Sequence, residues 1–196
     1  MTKTGLLFGS FNPVHQGHLM IANFMQQFTG LDELWFVLTP QSPFKTGSKL
    51  LQASERLQML KLAIHNKPNL EVCEAELDLP QPNYTYNTLQ VLNRQHSDRE
   101  FVIIMGSDNL IDLHKWHRID EILEKWKIFV YKRHGYTPPP RWKSTIEKGQ
   151  IRLFDAPQIE ISSSFIREAL SDGKNLSCFL PENVYFYIKE NKLYES

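Results

Sequence analysis

Short apolar runs that alternate with helical patterns most limit what this chain can fold into. Helical spacing of apolar residues occurs at 18–28, 54–65, 85–95 and 119–125, and a further helix is predicted from Pro181 to Leu193. The strand-like runs are almost entirely apolar, which is typical of strands covered on both faces. They lie at 5–8, 34–38, 70–73, 101–105, 128–131 and 151–154. The alternation predicts an α/β fold with a doubly wound, mostly parallel sheet flanked by helices.

Length and composition limit the domain count and the class of partner. A chain of 196 residues is long enough for one well-buried domain, so 1–196 is predicted to be a single domain with a C-terminal helical part at about 160–193. The 22 Lys and Arg residues equal the 22 Asp and Glu residues, which argues against a protein that grips nucleic acid by bulk charge. Any bound anion must therefore be held by a few placed groups.

The cellular location is predicted from two kinds of targeting segment that the sequence does not show. It shows no apolar run of membrane-spanning length and no secretory signal, so we expect a cytoplasmic protein with no membrane partner. Cys73 and Cys178 lie far apart without a CxxC pair, so we expect buried or unreactive thiols rather than a redox pair. The sequence does not determine the oligomeric state, and a homodimer is one of the states that it allows.

The first candidate site follows the first strand. The segment Gly9-Ser10-Phe11-Asn12-Pro13-Val14-His15-Gln16-Gly17-His18 reads as a tight turn that opens into a helix near Gln16. Backbone N–H groups, two imidazoles and a helix N-terminus would then face one spot, which suits the phosphates of a nucleotide. A neutral, hydrogen-bonded turn histidine is the plainer alternative for either residue. No cysteine or carboxylate clusters nearby, and no lysine follows the glycine, so neither a common metal site nor a Walker loop is indicated.

A second candidate site lies near the other end of the chain, at Ile161-Ser162-Ser163-Ser164-Phe165-Ile166-Arg167. Ser163 or Ser164 is expected to cap a helix, with Arg167 in its first turn. A cation there opposes the helix dipole, by a few tenths to about 1 kcal/mol. Beside a bound anion the same placement becomes favourable, so Arg167 is a candidate phosphate ligand.

Both segments resemble signatures of the nucleotidyltransferase superfamily, whose members join a nucleotide to a phosphate-bearing acceptor. The first departs from its signature at Ser10, where a second glycine or threonine is usual, and at Asn12, where aspartate is usual. The second resembles Ile-Ser-Ser-Thr-x-Ile-Arg, with Ser164 in place of threonine. The resemblance implies a Rossmann-like nucleotidyltransferase fold and an ATP site formed by Gly9, Ser10, Phe11, His15, His18, Gly106, Asp108, Ser163, Ser164 and Arg167.

Two further segments indicate the acceptor. Gly106-Ser107-Asp108-Asn109-Leu110 followed by Trp116 is similar to the Gly-x-Asp-x-Leu…Trp element of the bacterial nicotinate-nucleotide adenylyltransferase family. Tyr84-Thr85-Tyr86-Asn87-Thr88-Leu89 resembles the Tyr-Thr-x-x-Thr-Leu element of that family. The resemblance implies that Trp116 stacks on the pyridine ring, that Asp108 holds ribose and that the loop at Tyr84 and Thr85 receives the carboxylate. From the residues alone, Trp116 could equally be a packing anchor, and Asp108, Thr85 and Thr88 helix caps.

Two loops carry further cations. Pro43-Phe44-Lys45 resembles a Pro-His-Lys phosphate-contact loop in which Phe44 replaces the histidine, and Arg133 stands where the family often has Arg-Pro-Gly. Lys45 and Arg133 are therefore candidates for acceptor binding, with solvated surface charges as the alternative. The surrounding loops, 39–48 and 134–143, could be lids or simple insertions.

The resemblance implies transfer of the AMP moiety of ATP to nicotinate mononucleotide, which gives deamido-NAD and pyrophosphate. His15, His18, Arg167 and Lys45 are the expected catalytic residues, with Mg²⁺ arriving on ATP and no protein-held metal. Two alternatives stay open: a nucleotidyltransferase for another phosphorylated acceptor (phosphopantetheine, nicotinamide mononucleotide or glycerol phosphate), and a nucleotide-binding regulatory module without turnover.

Overall fold

The computed structural model describes residues 1–40 and 50–195. Within them, six parallel strands form one sheet in the order β3-β2-β1-β4-β5-β6. The strands are β1 (Thr2–Gly9), β2 (Glu33–Leu38), β3 (Leu70–Cys73), β4 (Arg99–Gly106), β5 (Lys127–Tyr131) and β6 (Ile151–Phe154). All six predicted strands are confirmed, and the sheet is wholly parallel rather than mostly so.

Helices cover both faces of this sheet. They are α1 (Gln16–Phe28), α2 (Ala53–Ile64), α3 (Thr85–Gln95), α4 (Ile119–Lys125), α5 (Lys143–Glu147), α6 (Ser163–Ser171) and α7 (Glu182–Glu190). The predicted helix from Pro181 to Leu193 is shorter than expected, since Pro181 is the N-cap and α7 ends at Glu190. None of the helices in the described ranges is both long and apolar enough to cross a membrane.

Neighbouring side chains on a strand point to opposite faces, which divides the core in two. Leu7 and Ile104 belong to a first core cluster beneath α1, α2, α6 and α7. Leu6 and Ile103 belong to a second core cluster beneath α3 and α4. The predicted doubly wound α/β architecture is confirmed.

The predicted loop at 134–143 is partly structured. Its end forms a 3-10 turn (Pro140–Trp142) that leads directly into α5. Trp142 is buried in the second core cluster, and its indole N–H donates to the carbonyl oxygen of Leu110 at 2.8 Å. This buried anchor ties the end of the connection to the body of the domain.

Candidate functional site

The ends of β1 and β4 define the place where a ligand can bind. Strand order reverses there, because β1 leads to β2 on one side while β4 leads to β5 on the other. The loops that follow Gly9 and Gly106 diverge from that point and leave a crevice at the carboxyl edge of the sheet. Both glycine turns singled out in the sequence therefore lie at the switch point.

The β1–α1 turn brings the two histidines together. His15 is the extended N-cap of α1, and His18 is the third residue of that helix. Their rings stack with centroids 3.7 Å apart, and the backbone N–H of His15 donates to Nδ1 of His18 at 3.3 Å. Because Nδ1 of His18 accepts, a ring proton lies on Nε2, which leaves that N–H available as a donor.

His15 is held as a neutral imidazole. It is 4% exposed, and burial, with the positive charge of Arg133 as a second cause, lowers its pKa to about 4. Among the described residues its Nδ1 has no hydrogen-bond partner. At neutral pH this side chain therefore offers hydrogen bonding rather than a formal charge.

Gly17 permits the close approach of these parts. A Cβ at this position would lie 3.1 Å from the His15 ring and 3.3 Å from Ile159. That spacing is tighter than ordinary van der Waals contact, so a side chain here would push the imidazole or the segment before α6 outward. The glycine of the first motif is explained by packing around His15.

Helix α6 docks on the same turn. The hydroxyl of Ser163 donates to the carbonyl oxygen of Pro13 at 2.9 Å. The Arg167 guanidinium donates to the carbonyl oxygen of Asn12 at 2.8 Å and to the Ser164 hydroxyl at 3.2 Å. The two motifs, 150 residues apart, thus form one structural unit.

The predicted cap of α6 was wrong by one residue. Ser162 is the N-cap, and its hydroxyl accepts from the backbone N–H of Phe165 at 3.2 Å. Arg167 is consequently the fifth residue of the helix and lies beyond the first turn. It still reaches the N-terminal end because helical side chains point back along the axis.

The crevice wall after β4 carries an ion pair. Asp108 Oδ1 lies 3.2 Å from Nε of Arg133, and both side chains are more than half exposed. The backbone N–H of Arg133 donates to the hydroxyl of buried Ser107 at 2.9 Å. A Cβ on Gly106 would lie 2.8 Å from the same Nε. The loops after β4 and β5 therefore meet at this wall.

The predicted acceptor residues lie on neighbouring segments of the second face. Tyr84 is the N-cap of α3, Thr85 is its first residue, and Trp116 is half-buried against the second core cluster. The Tyr84 ring contacts the ring of His117, with centroids 4.7 Å apart. His117 was not singled out from the sequence, although its position next to Trp116 was a signal.

Buried Arg56 is a structural residue that the sequence reading missed. It is 1% exposed, and it donates to the carbonyl oxygens of Ser10 at 2.7 Å, Thr39 at 2.9 Å and Pro40 at 2.8 Å. The side chain thereby links the loops after β1 and β2. Arg56, Leu60 and Ala63 share one helical face, so a lone charge in the apolar stripe of α2 was the available signal.

Glu76 is a second buried ionisable residue that was not among the site residues predicted from the sequence. Thr88 donates to its Oε1 at 2.8 Å, and the side chain of Asn83 donates to its carbonyl oxygen at 3.0 Å. Burial raises the pKa of this carboxyl group, while hydrogen bonds from Thr88 and Thr39 oppose the shift. Glu76 thus anchors the loop that leads to Tyr84. Thr88, expected as a possible cap, serves this contact instead.

The chain has close relatives of known family. The cytidylyltransferase-like family matches residues 6–169. A Flavobacterium johnsoniae protein named probable nicotinate-nucleotide adenylyltransferase is 44% identical, over 98% of this chain and 99% of its own length. A Bacteroides fragilis protein of the same name is 43% identical, over 94% of this chain and 90% of its own.

The chain belongs to the nicotinate-nucleotide adenylyltransferase family.

A solved structure supports the fold of this adenylyltransferase. Plasmodium falciparum nicotinic acid mononucleotide adenylyltransferase complexed with NaAD superposes with a TM-score of 0.80 at 19% identity. The superposition covers 99% of this chain and 98% of the other. At that identity the match establishes a shared fold, and the Rossmann-like prediction is confirmed.

Two of the departures from the family motifs, Asn12 and Phe44, have different outcomes. Asn12 is 2% exposed, and its Oδ1 accepts from the Tyr194 hydroxyl at 2.8 Å and from the backbone N–H of Leu51 at 3.3 Å. An amide oxygen therefore serves as a structural acceptor at this position. Phe44 and the candidate ligand Lys45 lie outside the described residues.

Metal-ligating side chains do not cluster in the described part of the adenylyltransferase. Within residues 1–40 and 50–195, no group of three or more His, Cys, Asp or Glu side chains could hold an ion. The two cysteines are both free, with Cys73 buried and Cys178 exposed.

Proposed function

We propose that this chain transfers the AMP moiety of ATP to nicotinate mononucleotide, giving deamido-NAD and pyrophosphate in NAD biosynthesis. The observation that carries the proposal is the junction of the stacked His15–His18 pair with Arg167 at the switch point of the sheet. Membership of the nicotinate-nucleotide adenylyltransferase family supports the same reaction.

The reaction needs no general base. The phosphate of nicotinate mononucleotide is a monoester with a second pKa near about 6, so it is largely dianionic at neutral pH. One of its oxygens attacks the α-phosphorus of ATP in line, a new P–O bond forms, and the bond to pyrophosphate breaks. Catalysis then depends on positioning and on stabilising the charge that develops on the phosphoryl oxygens.

We assign the phosphate contacts to the residues around the β1–α1 turn. His18 presents the N–H of its Nε2, and the N-terminal end of α1 adds backbone donors and a positive dipole. His15 supports the His18 ring by stacking and takes part in the same contact. Arg167 supplies a permanent charge. Gly9, Ser10, Phe11, Gly106, Ser163 and Ser164 complete the proposed ATP site, with Lys45 as a further catalytic candidate.

Mg²⁺ enters this scheme as part of the substrate. It binds the phosphates of ATP and neutralises part of their charge when ATP is bound. The chain itself contributes hydrogen bonds and cations around those phosphates, and Asp108 with Arg133 borders the same crevice. Mg²⁺ prefers oxygen ligands and keeps several waters, which fits delivery on a nucleotide.

The acceptor is assigned to the second wall of the crevice. Trp116 offers an aromatic face for the pyridine ring, and Tyr84 and Thr85 present the first N–H groups of α3. A carboxylate can accept several such bonds, whereas a carboxamide offers one acceptor and a donor. We therefore expect nicotinate mononucleotide to be preferred to the nicotinamide nucleotide, with Arg133 and Asp108 near phosphate and ribose.

Pyrophosphate release with ATP and each acceptor in turn tests the function. Nicotinate mononucleotide should give the highest kcat/KM, and nicotinamide mononucleotide a value at least tenfold lower. A higher value with phosphopantetheine or glycerol phosphate would assign another transferase. ATP binding without pyrophosphate release from any acceptor would assign the non-catalytic module.

We infer a single nucleotidyltransferase domain over residues 1–196, located in the cytoplasm and without a nucleic acid partner. A homodimer is a proposal that the mass of the purified protein in solution would decide.

A further inference from the structure

The segment after α7 returns to the β1–α1 turn. Leu193 closes the end of the helix through a bond from its backbone N–H to the carbonyl oxygen of Ile188 at 2.9 Å. Tyr194 follows in the left-handed region with φ of 64°. Both side chains pack against the first core cluster. This fold-back brings the Tyr194 ring beneath a turn that lies 182 residues earlier in the chain.

The Tyr194 hydroxyl ends on Asn12. It donates to Oδ1 of Asn12 at 2.8 Å, while the carbonyl oxygen of the same residue accepts from Arg167 at 2.8 Å. The segment after α7 therefore binds the side chain of Asn12, and α6 binds its backbone. Because His15 lies three residues further along, the position of the histidine pair depends on how Asn12 is held.

The Tyr194 hydroxyl stays protonated, so it can donate a hydrogen bond. Burial raises the pKa of its hydroxyl, and the nearby charges of Arg167 and Arg56 oppose the shift only in part. A protonated phenol can donate, whereas Asn12 Oδ1 can only accept, so the direction of the bond is fixed. The bond also lies between the two arginines that brace the turn from α6 and α2.

The geometry points to Tyr194 as a positioning residue for adenylyl transfer, holding the β1–α1 turn through Asn12 so that His15 and His18 meet the ATP phosphates. This inference rests on the proposed function. The hydroxyl touches no substrate atom in the scheme; it acts through Asn12. Small displacements of positioned groups lower turnover disproportionately, so the effect should appear in kcat.

Tyr194→Phe tests the inference because it removes the hydroxyl and keeps the ring. We expect kcat to fall about tenfold while KM for nicotinate mononucleotide changes less than twofold. Tyr187→Phe is the matched control: its hydroxyl donates to Glu55 at 2.6 Å, on α2 and not on the turn. The control should lose comparable stability and keep its kcat. Equal kcat values for Tyr194→Phe and the wild type would overturn the proposal.

A double-mutant cycle with Asn12→Ala shows whether the hydroxyl acts through Asn12. If it does, Tyr194→Phe should change kcat less than twofold in the Asn12→Ala background. A tenfold effect that persists in that background would contradict the inference. All rates are taken at a temperature where circular dichroism shows each variant folded.

Hydrogen exchange separates this inference from the proposed function. Amides of residues 14–18 should exchange at least fivefold faster in Tyr194→Phe than in Tyr187→Phe, whether or not the acceptor has been identified correctly. A wild type that releases no pyrophosphate would refute the proposed function, and the exchange comparison would still decide the role of Tyr194. Unchanged exchange at residues 14–18 would overturn that role.

Discussion

Two histidines three residues apart have different surroundings. His18 lies partly exposed at the crevice with its Nδ1 occupied by a backbone N–H, while His15 is buried behind it. The arrangement directs one ring N–H of His18 outward and uses His15 as its support.

His18→Ala should lower turnover by roughly a hundredfold, the scale seen when one preorganised donor is removed from a charged transition state. The fold should be unaffected, because His18 lies at the edge of the core. Pyrophosphate release together with circular dichroism measures both properties. His65→Ala, at the exposed end of α2, is the control and should retain full activity. Unchanged turnover in folded His18→Ala would contradict its assigned role.

The buried imidazole of His15 should make stability depend on pH. An unfolded histidine binds a proton near pH 6.5, whereas folded His15 does so only near about 4. The unfolded state therefore gains protons first as the pH falls, and the free energy of unfolding should drop by about 3 kcal/mol across that range. Urea unfolding from pH 7 to 4 measures the slope.

His15→Gln is the matching variant because glutamine does not titrate. Its free energy of unfolding should fall by about 3 kcal/mol less than that of the wild type over the same pH interval. If the free energy of unfolding changed equally with pH in the two proteins, the pKa of His15 would not be lowered by folding.

At the scale of elements, Arg56 on α2 joins the loop after β1 to the loop after β2. Arg56→Met keeps the apolar stem but removes the donors, which leaves the partly buried carbonyl groups of Ser10 and Thr39 without this partner. We expect a loss of about 3 kcal/mol in the free energy of unfolding. Denaturant titration measures the free energy of unfolding. Arg94→Met, at an exposed site of α3, is the control and should change this free energy by less than about 0.5 kcal/mol, as expected of a surface substitution.

Elements were predictable where the local pattern agreed with the fold. The strands stand out because both of their faces are buried, so their runs are apolar throughout. Helix α5 escaped prediction because Lys143–Glu147 has no apolar stripe and no buried residue. For α6 the sequence predicts Ser163 or Ser164 as the cap, whereas the cap is Ser162, whose hydroxyl accepts from the backbone N–H of Phe165.

The site was predictable in its residue types but not in its connections. The histidines, glycines and Arg167 form recognisable patterns, whereas the bond between Tyr194 and Asn12 joins residues 182 positions apart and leaves no local trace. From the sequence, Asn12 only departs from the family signature, which usually has aspartate at this position. Within the described residues its amide oxygen accepts from the Tyr194 hydroxyl and from the backbone N–H of Leu51.

At the scale of the whole molecule, ligand binding to segments from both ends of the chain should stabilise the entire domain. ATP at a hundred times its dissociation constant adds about 2.7 kcal/mol to the free energy of unfolding. For a domain of this size that corresponds to a rise of roughly 5 to 10 °C in Tm. Adenosine, which lacks the phosphates, should raise Tm much less at equal concentration; an equal rise would place the binding energy away from the phosphate contacts.

The central position of β1 has a consequence for synthesis of the chain. β1 pairs with β2 soon after it is made, but its other neighbour, β4, begins only at Arg99. Ribosomes add about 5 to 20 residues each second, so one edge of β1 stays open for several seconds while the intervening segments emerge. During that interval the strand that carries the histidine turn is a nascent edge, available to chaperones and to unwanted pairing with other chains.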